Sequence, residues 1–511
     1  VKLSRHGFTL TAVTILLLAC AHRVERKLET AAAAATLDRR SPFLKIHARD
    51  GRLWVLAPWH VDDATRSVTG RGQLYGADRA PLDSGSFTVT LDSVALFETN
   101  VVDKSPSNPV FAALTVVTGA VAVACIANPK ACFGSCPTFY GVTPRGEQLL
   151  AEGFSASVAP SLEAADLDAL APALASRGTL TLRMRNEAWE THVVRHVRLL
   201  AAPRAEHGRV FATGGGQFVQ ADGLASPGRC AAAEGDCRAA LIDRDGVERT
   251  SSADSTDLAT RETIDLEFAA PAGPGEYGLV IAYRQTLLTT YLFYQGLAWM
   301  GDRAGEWLAA LDRTPALRGT ASSLAGVLGK VEVQVPRDDG WTAVGAVGET
   351  GPLATDVKVV PLPPQAVAGP VRVRLRLTRG LWRLDHVALA RLGARVTPTR
   401  LRPARATATR HEPEELSAWI ADSTRALVTL PGDDVTLEFA VPDAPRTELF
   451  LEARGYYLEW MRQEWLAEAA PLKAARLYLD PQGALRELAP TFSRLEPGLE
   501  RTFWSSRYAR Q

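Results

Sequence analysis

Two thiols four residues apart, in Cys132-Phe-Gly-Ser-Cys136-Pro137, are the best-spaced candidates for chemistry in this chain. As thiolates they could hold a soft cation such as Cu(I), oxidised they would close a small bridge, and they could also remain free. A usable metal site normally takes a third ligand, and no later histidine stands in a recognisable motif with them. A second pattern, Glu190-Thr-His192-Val-Val-Arg-His196, carries the residue types of a zinc site. On a helix the two imidazoles would share one face, whereas on a strand they lie about 13 Å apart and cannot share an ion. The β-branched content here and the alternation of the preceding Thr179-Leu-Thr-Leu-Arg-Met-Arg185 predict the strand, so no metal is expected. Gly214-Gly-Gly216 lacks the lysine and helix opening of a phosphate loop and reads as a turn. Gly-x-Ser-x-Gly, His-Glu-x-x-His and P-loop strings do not occur, so no catalytic residue and no cofactor is assigned.

The first 20 residues say where those thiols would work. Lys2, Arg5 and His6 precede an uncharged stretch from Phe8 to Leu18, the layout of an export signal too short to span a bilayer as a stable helix. The leading Val is consistent with an alternative start codon. Leu17-Leu18-Ala19-Cys20 resembles the lipobox of bacterial lipoproteins, which implies removal of residues 1–19 and diacylation of Cys20. Ala21 after the lipidated cysteine implies sorting to the outer membrane. Acyl chains contribute about 0.8 kcal/mol per buried CH₂, which anchors a protein without a transmembrane helix. Residues 20–42, charged and then Ala-rich, read as a tether.

In an exported chain, close cysteine pairs are read first as disulfides. Cys230 and Cys237 flank a polar, glycine-containing loop and read as a staple, and Cys132 with Cys136 as a second small bridge, with free thiols as the alternative. Cys-x-x-x-Cys-Pro also resembles the metal-binding motif of thioredoxin-like copper-delivery proteins, which implies a thiol-redox or copper-handling role. Cys125 reads as a small buried apolar residue.

The chain of 511 residues carries 57 Lys+Arg against 57 Asp+Glu and is 46% hydrophobic, which excludes disorder and removes the basic footprint of nucleic-acid binding. At this length it is read as several domains, mainly β with α+β character: antiparallel sheets or sandwiches with a few inserted helices. Residues 43–140 read as a β domain interrupted by Val110 to Ala127, an uncharged run of 18 residues. That run is either a helix packed on its own sheet or a segment dipping into the bilayer as part of a transport or assembly complex. Residues 141–228 read as an α+β segment, with a capped helix over 160–174 opened by Ser161.

One unit occurs twice. Ile264-Asp-Leu-Glu-Phe-Ala-Ala-Pro271 followed by Tyr277 to Arg284 corresponds to Val435-Thr-Leu-Glu-Phe-Ala-Val-Pro442 followed by Leu449 to Arg454. Each copy is predicted as two strands and an aromatic-rich helix, which places the copies in 229–318 and 401–511, the second with a C-terminal tail that docks on the body. Between them, Val371-Arg-Val-Arg-Leu-Arg-Leu377 alternates without error. With Gly340-Trp341 and Gly380-Leu-Trp382, residues 319–400 resemble a galactose-binding-like jelly roll of the discoidin type, which implies ligands at loop tips. The candidate ligand surface is therefore Trp341 and Trp382 for sugar stacking and Arg372, Arg374 and Arg376 for anionic groups. The strings around Cys136, Trp189 and Tyr456 resemble those of large bacterial envelope lipoproteins without assigned activity. A non-catalytic, lipid-anchored envelope protein that binds or scaffolds a carbohydrate or protein partner is the expectation.

Overall fold

The computed structural model describes residues 23–77, 81–103, 136–143, 146–170, 178–269, 275–348, 350–364, 369–441, 446–460 and 468–505. The export signal, Cys20, Cys125, Cys132, the run 110–127 and the helix expected around Trp465 lie outside them. The described residues are mainly β, arranged in several largely antiparallel sheets with a few helices, as the alternating segments predict. Two compact units divide the chain, residues 1–118 and 119–511.

The first unit is one six-stranded antiparallel sheet, ordered in space 23–30, 94–103, 44–48, 53–62, 67–75, 81–90. Alternation turns Leu44, Ile46, Trp54, Leu56, Val68 and Phe97 onto one face, where they form its core. Residues 23–42 are not a free tether. Arg23–Thr30 is an edge strand on Val94–Asp103, in register Thr30↔Leu96 to Arg23↔Asp103, and the 3-10 helix Ala31–Thr36 buries Ala34. The added strand pairs the outer edge of Val94–Asp103 from Leu96 to Asp103, where its backbone groups would otherwise lack strand partners.

The second unit stacks four sheets. Sheet I holds strands 405–408, 434–440, 179–185, 138–143 and 146–152, and sheet II holds 399–401, 190–203, 447–459 and 164–169 with 427–429 at its side. Sheet I packs on sheet II through Phe139, Leu182, Phe439, Leu199 and Leu451. Sheet III orders 218–225, 209–213, 356–361, 276–285, 382–396 and 249–250, and an extra pairing of 218–225 with 382–396 closes it into a ring. Phe211, Val280, Val359 and Ala390 fill one cluster of that ring. Val210, Ala212 and Phe218 instead meet Leu200 and Phe450 of sheet II, the two phenyl rings edge to face with centroids 4.8 Å apart. Sheet IV, with strands 235–236, 229–232, 261–268, 371–378, 331–337 and 340–347, packs on the other side of the ring through Ile264, Leu266, Leu375, Ile281 and Val387.

Strand pairing explains the internal repeat. Arg261–Phe268 lies in sheet IV beside 371–378, and Glu276–Gln285 in sheet III beside 382–396. Asp434–Ala440 lies in sheet I beside 179–185, and Thr447–Glu459 in sheet II beside 190–203. Both long pairs carry an irregularity, at Ala282/Tyr283 and at Val194/His196. In the first copy the partner strands follow the repeated pair, while in the second they precede it, so the first four-stranded set is inserted in the chain of the second. The expected segments 229–318, 319–400 and 401–511 are thus interleaved in space, and strand 138–143, expected in the first β domain, pairs in the second unit.

Six helices complete the described part of this unit: α1 (Leu288–Met300), α2 (Ala304–Arg313), α3 (Pro315–Leu328), α4 (Pro413–Ala421), α5 (Pro471–Leu479) and α6 (Pro481–Ser505). The tail of the chain docks as expected, with Phe492 of α6 buried and Glu496 accepting the Ala253 N–H at 3.0 Å. The helix expected over 160–174 is instead a 3-10 turn, Pro160–Leu162, and an edge strand, Ala164–Ala169. Pairing with 447–459 and the packing of Leu167 and Ala169 between sheets II and III outweigh the local helical pattern. Among the described residues no helix is long and apolar enough to cross a membrane.

Candidate ligand-binding cavity

From Thr286 to Met300 the chain has no charge, so α1 has no face that prefers water and the fold buries it among neighbours. Thr286 fixes its start: the hydroxyl donates to the Gly380 carbonyl at 2.6 Å and accepts the Leu288 N–H at 3.2 Å. Helix α5 crosses α1 at Gly296, where a Cβ would come within 2.9 Å of Tyr478 Oη. Helices α2 and α3 fold back beside α1.

These helices do not close fully on sheets I and II. A cavity of about 380 Å³ remains between them, within the range of about 300–1,000 Å³ common for small-molecule sites. Leu292 and Phe293 of α1, Trp307 and Leu311 of α2 and Leu324 and Leu328 of α3 form one wall, while Cys136, Val158, Leu162 and Tyr457 face them. The rim is tied across: the Ser161 N–H donates to Asp312 Oδ1 at 2.9 Å and its hydroxyl to the Leu311 carbonyl at 3.3 Å. Tyr294 of α1 donates its hydroxyl to Glu459 of sheet II, and Tyr457 donates to the Ser155 carbonyl at 3.1 Å.

Beside the apolar wall, the described lining carries Glu152, Ser155, Gln285, Thr289 and Thr290 with three tyrosines. Glu152, at the end of a sheet I strand and 1% exposed, accepts the Leu353 N–H at 2.8 Å. It fits against Gly351, whose φ of +73° and lack of side chain are both required, because a Cβ there would lie 2.4 Å from Glu152 Oε2. Burial pushes the Cys136 thiol well above its ordinary pKa, and the charges of Glu152 and Glu190 add to that push. Burial likewise raises the Tyr457 and Tyr478 phenols. The described lining therefore combines the Cys136 thiol, phenols, hydroxyls and the Gln285 amide with the buried carboxyl of Glu152 and an apolar wall.

Of the described residues singled out by sequence, Cys136 lines the cavity and the others fall elsewhere. Cys230 and Cys237 form a disulfide. Cys136 is a free, buried thiol in the cavity wall and not half of the small bridge expected with Cys132. His192 and His196 lie on a strand, as expected, each with its own carboxylate: His192 Nε2 is 2.7 Å from Glu190 and His196 Nε2 is 3.2 Å from Glu452. Among the described residues no group of three or more His, Cys, Asp or Glu is placed to hold a metal.

Trp341, Arg372, Arg374 and Arg376 do share the outer face of sheet IV, but not as a free binding surface. Arg374 stacks 4.3 Å from the Trp341 ring centroid, over the face a sugar would use, and pairs with Asp265 at 2.6 Å. Arg376 pairs with Glu332 at 3.1 Å, and Arg372 lies 5.9 Å from the same indole. Trp382 does not belong to this surface. It is 1% exposed in the core against Tyr283, because its place on strand 382–396 faces sheet IV. The cavity was missed by sequence reasoning because its walls come from segments spread between residues 136 and 478. The uncharged run of α1, the aromatic-rich helix predicted in the first copy, is the local signal for it.

Fold and site thus define a multi-sheet, mainly β protein with an open, largely apolar cavity beside its helices. No known family profile matches the chain, and no curated protein matches it. Among solved structures it aligns with the GH31 alpha-xylosidase from Xanthomonas citri over 89% of its own length and 40% of that chain, at 8% identity and a TM-score of 0.10. A likeness at that level carries no argument about fold or activity.

Proposed function

We propose that this is a non-catalytic binding protein of the bacterial cell envelope, anchored through a lipid on Cys20 at the outer membrane, whose ligand is a lipophilic small molecule held between α1–α3 and sheets I and II. The observation that carries the binding role is the cavity of about 380 Å³ lined by leucine, phenylalanine, tryptophan and tyrosine. Apolar surface of this kind left facing water is unfavourable until a partner covers it. The anchoring rests on the lipobox alone. It fits a lipophilic cargo, since a protein held at a membrane surface meets such molecules where they are concentrated.

Protein purified from envelope fractions should yield, on organic extraction and mass spectrometry, one predominant lipophile in near-stoichiometric amount. Extraction that returns none would count against the binding role. Cys20→Ser should abolish fatty-acid labelling and release the protein from membranes, and labelling that survived would remove the anchor from the account.

A further inference from the structure

We infer that a groove where the chain crosses from sheet III to sheet II is a binding site for a phosphate ester, held by Arg395 and Arg400. It shares no lining residue with the cavity beside the helices and is independent of the role proposed for that cavity.

The sequence concentrates positive charge at this crossing. The whole chain balances 57 Lys+Arg with 57 Asp+Glu, yet between Asp385 and Glu412 it carries Arg391, Arg395, Arg400, Arg402, Arg405 and Arg410 and no acidic residue. Such a run gives a neutral protein a local positive field. Strand 382–396 belongs to sheet III and 399–401 to sheet II, with only Thr397 and Pro398 between them. Register fixes both ends, Arg395 opposite Val219 and Arg400 opposite Leu200, and the proline ring restricts the link. The two arginines therefore leave the backbone from set points on two different sheets.

The groove there has a volume of about 320 Å³. Buried Leu200 and Phe218 form its floor, with Val396 and Pro398 beside them and the exposed Arg395 and Arg400 at its edge. Arg400 also acts on Glu452, whose carboxyl meets His196 at 3.2 Å and Arg198 at 3.7 Å, so two arginines and a histidine surround one carboxylate and the balance stays positive. Guanidinium groups pair bidentately with phosphate oxygens. Two of them match the nearly two charges of a phosphate monoester at neutral pH, and the apolar floor receives its organic part.

The test is calorimetric titration of the full-length protein with butyl phosphate, butyl sulfate and inorganic phosphate. Butyl phosphate should bind one-to-one, at least about threefold tighter than butyl sulfate, which carries a single charge, and about tenfold tighter than inorganic phosphate, which has no apolar part. Arg395→Gln and Arg400→Gln should each weaken it by about threefold and together by about tenfold. Leu324→Trp, which fills the cavity beside the helices, should leave it unchanged. Dihexanoyl phosphatidic acid distinguishes the source of the ester: tighter binding than butyl phosphate, with the same dependence on the arginines, supports a membrane lipid headgroup, and weaker binding supports a soluble phosphoester. Butyl phosphate that does not bind, that binds within about threefold of butyl sulfate, or that survives the double arginine variant overturns the inference. Should a variant misfold, the ranking of the three anions in the unmodified protein still decides.

Discussion

The backbone N–H of Ser161 donates to Asp312 Oδ1 at 2.9 Å, joining the turn before an edge strand of sheet II to the last turn of α2 across 151 residues of sequence. Leu162 and Leu311, the neighbours of this pair, both line the cavity. The contact is a clasp on the rim of the cavity.

Asp312→Ala should therefore loosen entry without unfolding the protein. Asp312 is exposed, so the stability cost is below about 1 kcal/mol. Stopped-flow association and dissociation of a neutral fluorescent probe, N-phenyl-1-naphthylamine, should both accelerate several-fold, with a smaller change in affinity. Unchanged rates would place the opening elsewhere.

Gly351→Ala should damage the site from behind. The backbone is in the left-handed region and the new methyl would meet Glu152 Oε2 at 2.4 Å, a combination that costs about 1–3 kcal/mol. Urea denaturation should show that loss, and probe affinity should fall with it as the carboxyl is displaced.

The Cys230–Cys237 bridge closes a small loop beside the core of sheets III and IV. Restricting the unfolded chain over a loop of that length contributes about 2–3 kcal/mol. Replacing both cysteines by serine should lower the urea midpoint accordingly, with probe binding at low denaturant retained.

Acid should reach the first unit through Glu98. Burial alone would push its carboxyl up, but hydrogen bonds from His47, Lys45 and Asn100 hold it well below the ordinary carboxylate range. With the folded pKa depressed, the contribution to stability is complete above about pH 4.5 and is lost as pH falls toward the folded value. Hydrogen exchange of peptides from residues 44–103 should show progressive loss of protection from pH 5 to pH 2, and Glu98→Gln should flatten that dependence.

Much of the β architecture was legible because alternation is a local signal. Thr179–Arg185 and Val371–Thr378 show it plainly, and the strand character of His192 to His196 removed a zinc site before any geometry was available. The repeated Leu-Glu-Phe-Ala segments mark strands that take equivalent pairings in the two sets. Their permuted partners were hidden because 190–203 and 382–396 share pairing and an irregularity rather than residues. Trp341 and Trp382 each follow a glycine-containing turn, and only the packing of layers shows that one is half-buried under Arg374 and the other is core. Ser161 and Glu163 suggested a helix running through Ala164–Ala169, yet Asp168 is buried and the Ala169 N–H reaches Asp356 Oδ1 at 3.0 Å, a contact between sheets that no local pattern encodes. The cavity was illegible for the same reason, since its walls meet only after the sheets and helices have packed.

The most direct measurement is titration of the purified protein with N-phenyl-1-naphthylamine beside a variant, Leu324→Trp, that fills the space below α3. The account predicts saturable one-to-one binding to the unmodified protein and its loss in the variant, with the urea midpoint of the variant kept or raised. Binding that is absent, or that persists unchanged when the cavity is filled, would contradict it.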